Sequence, residues 1–310
     1  MLSGFFVCGK AMKNLCDRTF IPIEFAIDRF ARIMIPLLPA LILTVCIAFI
    51  TNENISGYHF VGNLFSLQNI LVPVIANNEP LWSLGYEVWF YVFCGAIGTL
   101  VMVIRSRLNY FISFCFALVI IFLFYFVFTK LKVVYLFCWV IGGLAYIFRT
   151  KKFSWRWFFI SLVIVTYGTI GIELSRTSKS IVVDNLSIYM PSLINSILIF
   201  SIGIALFIQQ TRFLQPQGRV MFQVEALGTK FAAVSYTLYL THAPILHLMK
   251  VCGIDRAPLI SLYSISIYFA VVSICIMCAW LIYWPFERRT SEVKKWIKCW
   301  LATSLSSSRS

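Results

Sequence analysis

Along the chain, long apolar runs alternate with short segments in which charged residues collect, the pattern of a protein that crosses a bilayer repeatedly. A transmembrane helix needs ~20 mostly apolar residues to traverse a ~30 Å hydrocarbon layer. Eight runs meet or approach that length, near residues 33–50, 80–104, 108–128, 133–148, 154–174, 188–210, 231–252 and 259–284. The run at 133–148 is short and contains Gly142 and Gly143, which weakens it as a full span. The stretch 60–76, FVGNLFSLQNILVPVIA, carries Asn63, Gln68, Asn69 and Pro73, which would be costly in lipid. It reads as a re-entrant or interfacial segment beside the bundle.

The chain opens MLSGFFVCGK, and its apolar run ends at Val7 or Cys8. Eight helical residues rise only ~12 Å, less than half of the hydrocarbon thickness. A signal peptide would carry its charges ahead of the apolar stretch, whereas Lys10 and Lys13 follow it. The start therefore reads as the second half of a span. The expected fold is all-α, a polytopic integral membrane bundle of about eight full transmembrane helices plus a partial N-terminal one. Residues 1–290 are expected to form one domain, and 291–310 a basic, Ser-rich cytoplasmic tail whose end, SLSSSRS, reads as disordered.

Composition supports the same class. Of the 310 residues, 60% are hydrophobic and 12% charged, against roughly 45–50% and ~25% in an ordinary soluble domain. The net charge of +14 is not spread evenly. If residues 10–32 lie inside, the inside segments hold twenty of the twenty-six Lys and Arg residues, at 10–32, 105–107, 149–156, 212–230 and 288–309. Only Lys130, Lys132, Arg176, Lys179, Lys250 and Arg256 lie outside. This is the asymmetry of the positive-inside rule, and it places the C-terminus in the cytoplasm. Topology and attraction to anionic lipid explain the charge without nucleic acid as a partner.

Ten cysteines are scattered, with Cys46, Cys94, Cys115, Cys138, Cys275 and Cys278 inside spans, where a thiol acts as a small hydrophobe. Cys275 and Cys278 have redox-motif spacing but no thioredoxin-like context. There is no Gly-rich phosphate loop, and three dispersed histidines, His59, His242 and His247, do not make a zinc site, so no metal is expected.

An ionisable group inside a span costs at least ~2.5–3.5 kcal/mol at the helix centre and is a candidate for function. Glu87 sits in LWSLGYEVWFY with Ser83 and Tyr91 at i−4 and i+4, placing a hydroxyl, a carboxylate and a phenol on one helical face. The alternative is a carboxylate that locks helix packing. In SYTLYLTHAPIL, Ser235, Tyr239 and His242 form one stripe, and Pro244 removes a backbone hydrogen bond, exposing a carbonyl; a plain interfacial histidine is the alternative. In RFARIMIPLLP, Arg29 and Arg32 precede Pro36 and Pro39, which are expected to break the helix. Two guanidiniums suit a phosphate or pyrophosphate, though positive-inside anchoring accounts for such arginines too, and Asp28 could pair with Arg32. In WPFERRT, Glu287, Arg288 and Arg289 read as a helix terminus anchored at the interface.

Four of these stretches together resemble the membrane acyltransferase 3 family, which O-acylates bacterial surface sugars. LSGFF at 2–6 resembles its L-S-G-F signature, RFARIMIP at 29–36 its arginine pair before a proline, WSLGYE at 82–87 its W-S-L-x-x-E, and SYTLYLTHAP at 235–244 its S-Y-x-x-Y-L-x-H-x-P. The resemblance implies a ten-helix bundle that takes an acyl group, usually acetyl from acetyl-CoA, at the cytoplasmic face and delivers it to a saccharide hydroxyl. It implies Arg29 and Arg32 as donor-binding residues, Glu87, Tyr239 and His242 as catalytic ones, and Trp82, Ser83, Tyr91, Ser235 and Tyr236 as the cavity lining. The family's proposed catalytic histidine lies on the first helix, ahead of L-S-G-F, and no residue precedes Met1 to supply it. Attack of an alcohol on a thioester needs a base with a pKa near neutrality, usually histidine, and donors for the oxyanion. Glu87 could substitute as base if burial raised its pKa.

Two other classes stay open on sequence alone. A transporter or flippase of a lipid-linked sugar would use the arginines and Glu87 as a substrate or proton path, but would be expected to show inverted repeats and paired broken helices. An inactive, truncated remnant is the other.

Overall fold

A computed structural model describes residues 1–106, 110–148, 152–177, 192–213, 218–254 and 261–307. The basic residues Arg107, Arg149, Lys151, Lys179, Arg256 and Arg309, and the start of the span expected at 188–210, lie outside the described residues. A π-helical turn, Gly4–Cys8, leads into α1 (Gly9–Cys16). There follow α2 (Pro22–Ile50), α3 (Gly57–Leu64), α4 (Trp82–Arg105), α5 (Tyr110–Phe128), α6 (Val134–Ile147), α7 (Trp155–Thr177), α8 (Leu193–Thr211), α9 (Arg219–Val251), α10 (Leu262–Tyr283) and α11 (Thr290–Ser307).

Among the described residues there is no strand. Six helical stretches among the described residues are long and apolar enough to cross a membrane: Pro22–Ile50, Glu79–Arg105, Tyr110–Phe128, Trp155–Ser175, Leu193–Thr211 and Leu262–Leu301. The protein is an all-α, polytopic membrane protein. The run expected at 133–148 forms α6, which is apolar but only 14 residues long. The run expected at 231–252 forms the C-terminal part of the 33-residue α9, where Ser235, Thr237, Tyr239, Thr241 and His242 dilute the apolar character. Pro36 and Pro39 do not break α2, which runs unbroken through both. Each proline forfeits one backbone bond, and the flanking turns hold the helix together. Residues 290–307 of the basic C-terminal stretch are helical, as α11.

The chain divides into two compact units, one of Met1–Pro22 and Trp89–Gln217, the other of Ile23–Val88 and Gly218–Ser310. The boundary falls within α4.

In the first unit the N-terminal helix packs on α6 through glycine. A Cβ on Gly4 would lie 1.9 Å from the Trp139 carbonyl oxygen, and one on Gly142 would lie 2.3 Å from the Met1 carbonyl oxygen. Nothing larger than hydrogen fits, the close backbone approach that small residues permit between membrane helices. Phe90, Phe93, Phe124, Phe128 and Trp139 fill the adjoining space with ring contacts, Phe124 and Phe128 at 4.5 Å between centroids. Two buried glutamines of α8 close helix ends, as a lipid-facing chain must. Gln209 Nε2 donates to the carbonyls of Ala145 and Phe148 at the end of α6, and Gln210 Oε1 accepts from the Ser154 N–H just ahead of α7.

The second unit is built from α2, α9, α10, α11 and the segment 57–88. Leu37, Leu41, Leu81, Leu84 and Leu240 are all but fully buried. Residues 57–81 form α3 and then an irregular path that no span could supply; two buried side-chain amides bond to its own backbone, and a third ties it to α2 and α9. Asn63 donates to the carbonyls of His59 and Pro73 and accepts from the Ile75 N–H. Gln68 donates to the Leu81 carbonyl at 2.9 Å. Asn78 donates to Thr44 Oγ1 at 3.1 Å and to the Leu240 carbonyl at 2.9 Å. Thr44 is six residues short of the end of α2 and Leu240 eleven short of the end of α9, so the loop reaches ~9–16 Å below those helix ends at 1.5 Å per residue. It therefore delivers the start of α4 into the interior of this unit.

Candidate functional site

In the second unit, the interior start of α4 meets the middle of α9. Tyr239, one of the stripe on α9, reaches the first turn of α4, where Ser83 Oγ lies 2.7 Å from its hydroxyl oxygen and the Pro80 carbonyl accepts its hydrogen bond. A carbonyl only accepts, so the single phenolic proton is committed to Pro80 and the Ser83 hydroxyl donates to Tyr239. The Glu87 carboxylate, one helical turn beyond Ser83, is half-buried and lies within electrostatic reach of the Tyr239 phenol.

His242 completes the group. Its ring centroid is 6.0 Å from that of Tyr239. Nδ1 sits 2.9 Å from the Tyr239 carbonyl oxygen and 3.1 Å from that of Leu238, both on its own helix. Nδ1 must then be the protonated nitrogen, which leaves the Nε2 lone pair of the neutral ring to accept a proton. Local sequence explains the arrangement. Pro244 sits inside α9 and has no N–H for the Leu240 carbonyl four residues back, and Asn78 supplies the missing donor.

On α9 two residues before Tyr239, a second polar contact forms. Thr237, fully buried, donates its hydroxyl to Glu287 at 2.5 Å, and Arg32 acts electrostatically on the same carboxylate. Three stretches that the sequence singles out separately, at 29–36, 235–244 and 284–290, therefore meet. Arg32 is exposed and Arg29 half-buried on α2.

The remaining expected residues fall as follows. Trp82 packs edge-on against Tyr86 at 5.6 Å in the first turns of α4. Ser235 is exposed and returns its hydroxyl to the Ala232 carbonyl of its own helix at 2.8 Å. Tyr236 is half-buried beside it. Tyr91 belongs to the first unit, where its hydroxyl is 2.8 Å from Ser3 Oγ and Ser3 in turn accepts from Trp139 Nε1 at 3.2 Å. Among the described residues no three of His, Cys, Asp and Glu converge as a metal site.

Sequence reasoning does not single out Thr44, Asn78, Pro80 and Thr237 for this site, nor the group in which Glu53 accepts from Asn77 and lies 3.0 Å from His247 Nε2. The carbonyl freed by Pro244 was the available signal for Asn78, since a buried orphan acceptor demands a donor.

A hydroxyl relay, a carboxylate and a histidine with an open nitrogen, together in one unit of a membrane protein, form a set able to accept a proton from an alcohol. Neither a curated protein nor a solved structure matches the chain. The family model of acyltransferase 3, described as an acyltransferase domain, matches residues 1–284. The chain belongs to the membrane acyltransferase 3 family.

Proposed function

We propose that this membrane acyltransferase is an O-acyltransferase of the bacterial inner membrane, with its C-terminus in the cytoplasm, that moves acetyl from acetyl-CoA to a hydroxyl of a cell-surface saccharide such as an O-antigen or exopolysaccharide. The observation that carries the reading is the cluster of Ser83, Glu87, Tyr239 and His242 in a chain of an acyltransferase family. In this reading the acceptor oxygen attacks the thioester carbonyl carbon and its proton passes to His242 Nε2. The carbon–sulfur bond breaks, and the departing thiolate of coenzyme A takes a proton in turn. Glu87 orients the alcohol and favours the charged imidazole, while Arg29 and Arg32 hold donor phosphates.

The test is transfer of labelled acetyl from acetyl-CoA in membranes that contain the chain and an extracted mixture of surface glycans. Label in a saccharide fraction, released by mild base as expected of an ester, supports the proposal. Absence of transfer to every glycan tested, with the protein folded and inserted, overturns it.

A further inference from the structure

In the second unit, α2, the turn after α10 and the start of α11 enclose an open groove of about 380 Å³. Its walls are apolar side chains, among them Ile35, Leu38 and Pro39 of α2, Phe286 of the turn and Val293 of α11. The one charged residue on it is Arg289. The volume falls within the ~300–1,000 Å³ of ligand clefts, but the lining offers no set of polar groups to orient a soluble metabolite.

The surrounding charges decide what the groove accepts. Lys294 pairs with Asp28 at 3.3 Å and Lys298 with Glu24 at 3.4 Å, which lays α11 antiparallel along the start of α2. Glu287 is engaged by Thr237 and Arg32. Arg288 lies over the Trp284 ring at 4.9 Å. Asp28, Glu24 and Glu287 are thus committed; among the described residues the exposed Glu292 at the start of α11 is in no ion pair, and the Arg289 guanidinium has no hydrogen-bond or ion-pair partner. A cation on the rim of an apolar groove is complementary to an amphiphile with an anionic head.

Its level along the bundle fits as well. Trp284, Trp296 and Trp300 are exposed around the end of α10 and along α11, and tryptophan collects where headgroups meet hydrocarbon. On the orientation proposed above this is the cytoplasmic leaflet, which carries the anionic lipids. We infer that the groove is a binding site for an anionic glycerophospholipid, one acyl chain lying against Leu38 and Phe286 and the phosphate held by Arg289. The inference does not depend on the acyl-transfer reading, because its test measures lipid bound and not turnover.

The experiment is native mass spectrometry of the full chain in detergent, titrated with phosphatidylglycerol or with phosphatidylcholine of the same acyl chains. The wild-type chain should retain phosphatidylglycerol with about fivefold preference, as expected for one guanidinium facing a headgroup of net negative charge and not one whose phosphate is offset by choline. Arg289→Gln should abolish the preference, and Leu38→Trp, which fills the groove, should remove the adduct. Lys295→Gln, an exposed lysine outside the groove, should change neither. Glycerol phosphate without acyl chains should fail to compete, since a free phosphate has nothing to place in the groove. Equal retention of the two lipids by the wild-type chain means annular lipid only and overturns the inference. So does an unchanged preference in Arg289→Gln, which settles the matter should Leu38→Trp not fold.

Discussion

The side-chain amide of Asn78 donates to the carbonyl of Leu240, the carbonyl that Pro244 leaves without its helical partner. One buried side chain therefore repairs the defect in α9 and, through Thr44 Oγ1, ties the loop before α4 to α2. The two sequence departures, a proline inside a helix and an asparagine inside a membrane unit, stabilise each other.

That relationship predicts a coupling. Asn78→Ala leaves the Leu240 carbonyl buried and unpaired and should lower stability in detergent by ~1–3 kcal/mol. Pro244→Ala restores an N–H for Leu240, so the loss caused by Asn78→Ala should shrink in the Pro244→Ala background. Thermal unfolding of the four chains closes the double-mutant cycle, and strictly additive losses would contradict the pairing.

Tyr239→Phe removes the hydroxyl that links Ser83 and Pro80, whereas Ser83→Ala removes one end of the relay and leaves the phenol bound to Pro80. Acetyl transfer should fall more in Tyr239→Phe than in Ser83→Ala. The same order should hold for thermal stability, with a loss of ~0.5–1.5 kcal/mol for the smaller change.

Glu87→Gln keeps the shape of the side chain and removes its charge. Transfer should be lost while expression, membrane insertion and melting temperature stay close to wild type. Full turnover in Glu87→Gln would remove the carboxylate from the proposed reaction.

Arg32→Gln should raise the KM for acetyl-CoA with a smaller effect on kcat, since it takes away binding that ground state and transition state share. An unchanged KM in initial-rate kinetics over a range of donor concentrations would assign Arg32 to its contact with Glu287 alone.

Gly142→Val should displace the N-terminal helix of the first unit, because the added carbons collide with the Met1 carbonyl. The expected cost is ~1–3 kcal/mol. Faster proteolysis ahead of α2 would report the displacement.

Much of this architecture is legible in the sequence because lipid leaves few options. The apolar runs mark the long helices, and the amides at 63–69 mark a segment that could not be a span. The spacing in SYTLYLTHAP marks Tyr239 and His242 as neighbours on one face. What the sequence hides depends on distant partners. Asn78 and Leu240 are 162 residues apart, and no local pattern pairs them. Gly142 and Gly143 weaken 133–148 as a span, yet they form the surface on which the N-terminal helix rests. Glu287 reads as a helix terminator, and only the fold brings Thr237 and Arg32 to it. Pro36 and Pro39 look like breaks by propensity, which cannot anticipate that the surrounding helix absorbs both.

The direction of the Ser83–Tyr239 bond has its own consequence. Because the phenol has given away its only hydrogen, Ser83 faces the surrounding space with lone pairs and no proton to offer. The wall made by α4 and α9 at that point discriminates by polarity: a guest bearing an O–H finds a host there, while one presenting only a C=O finds none.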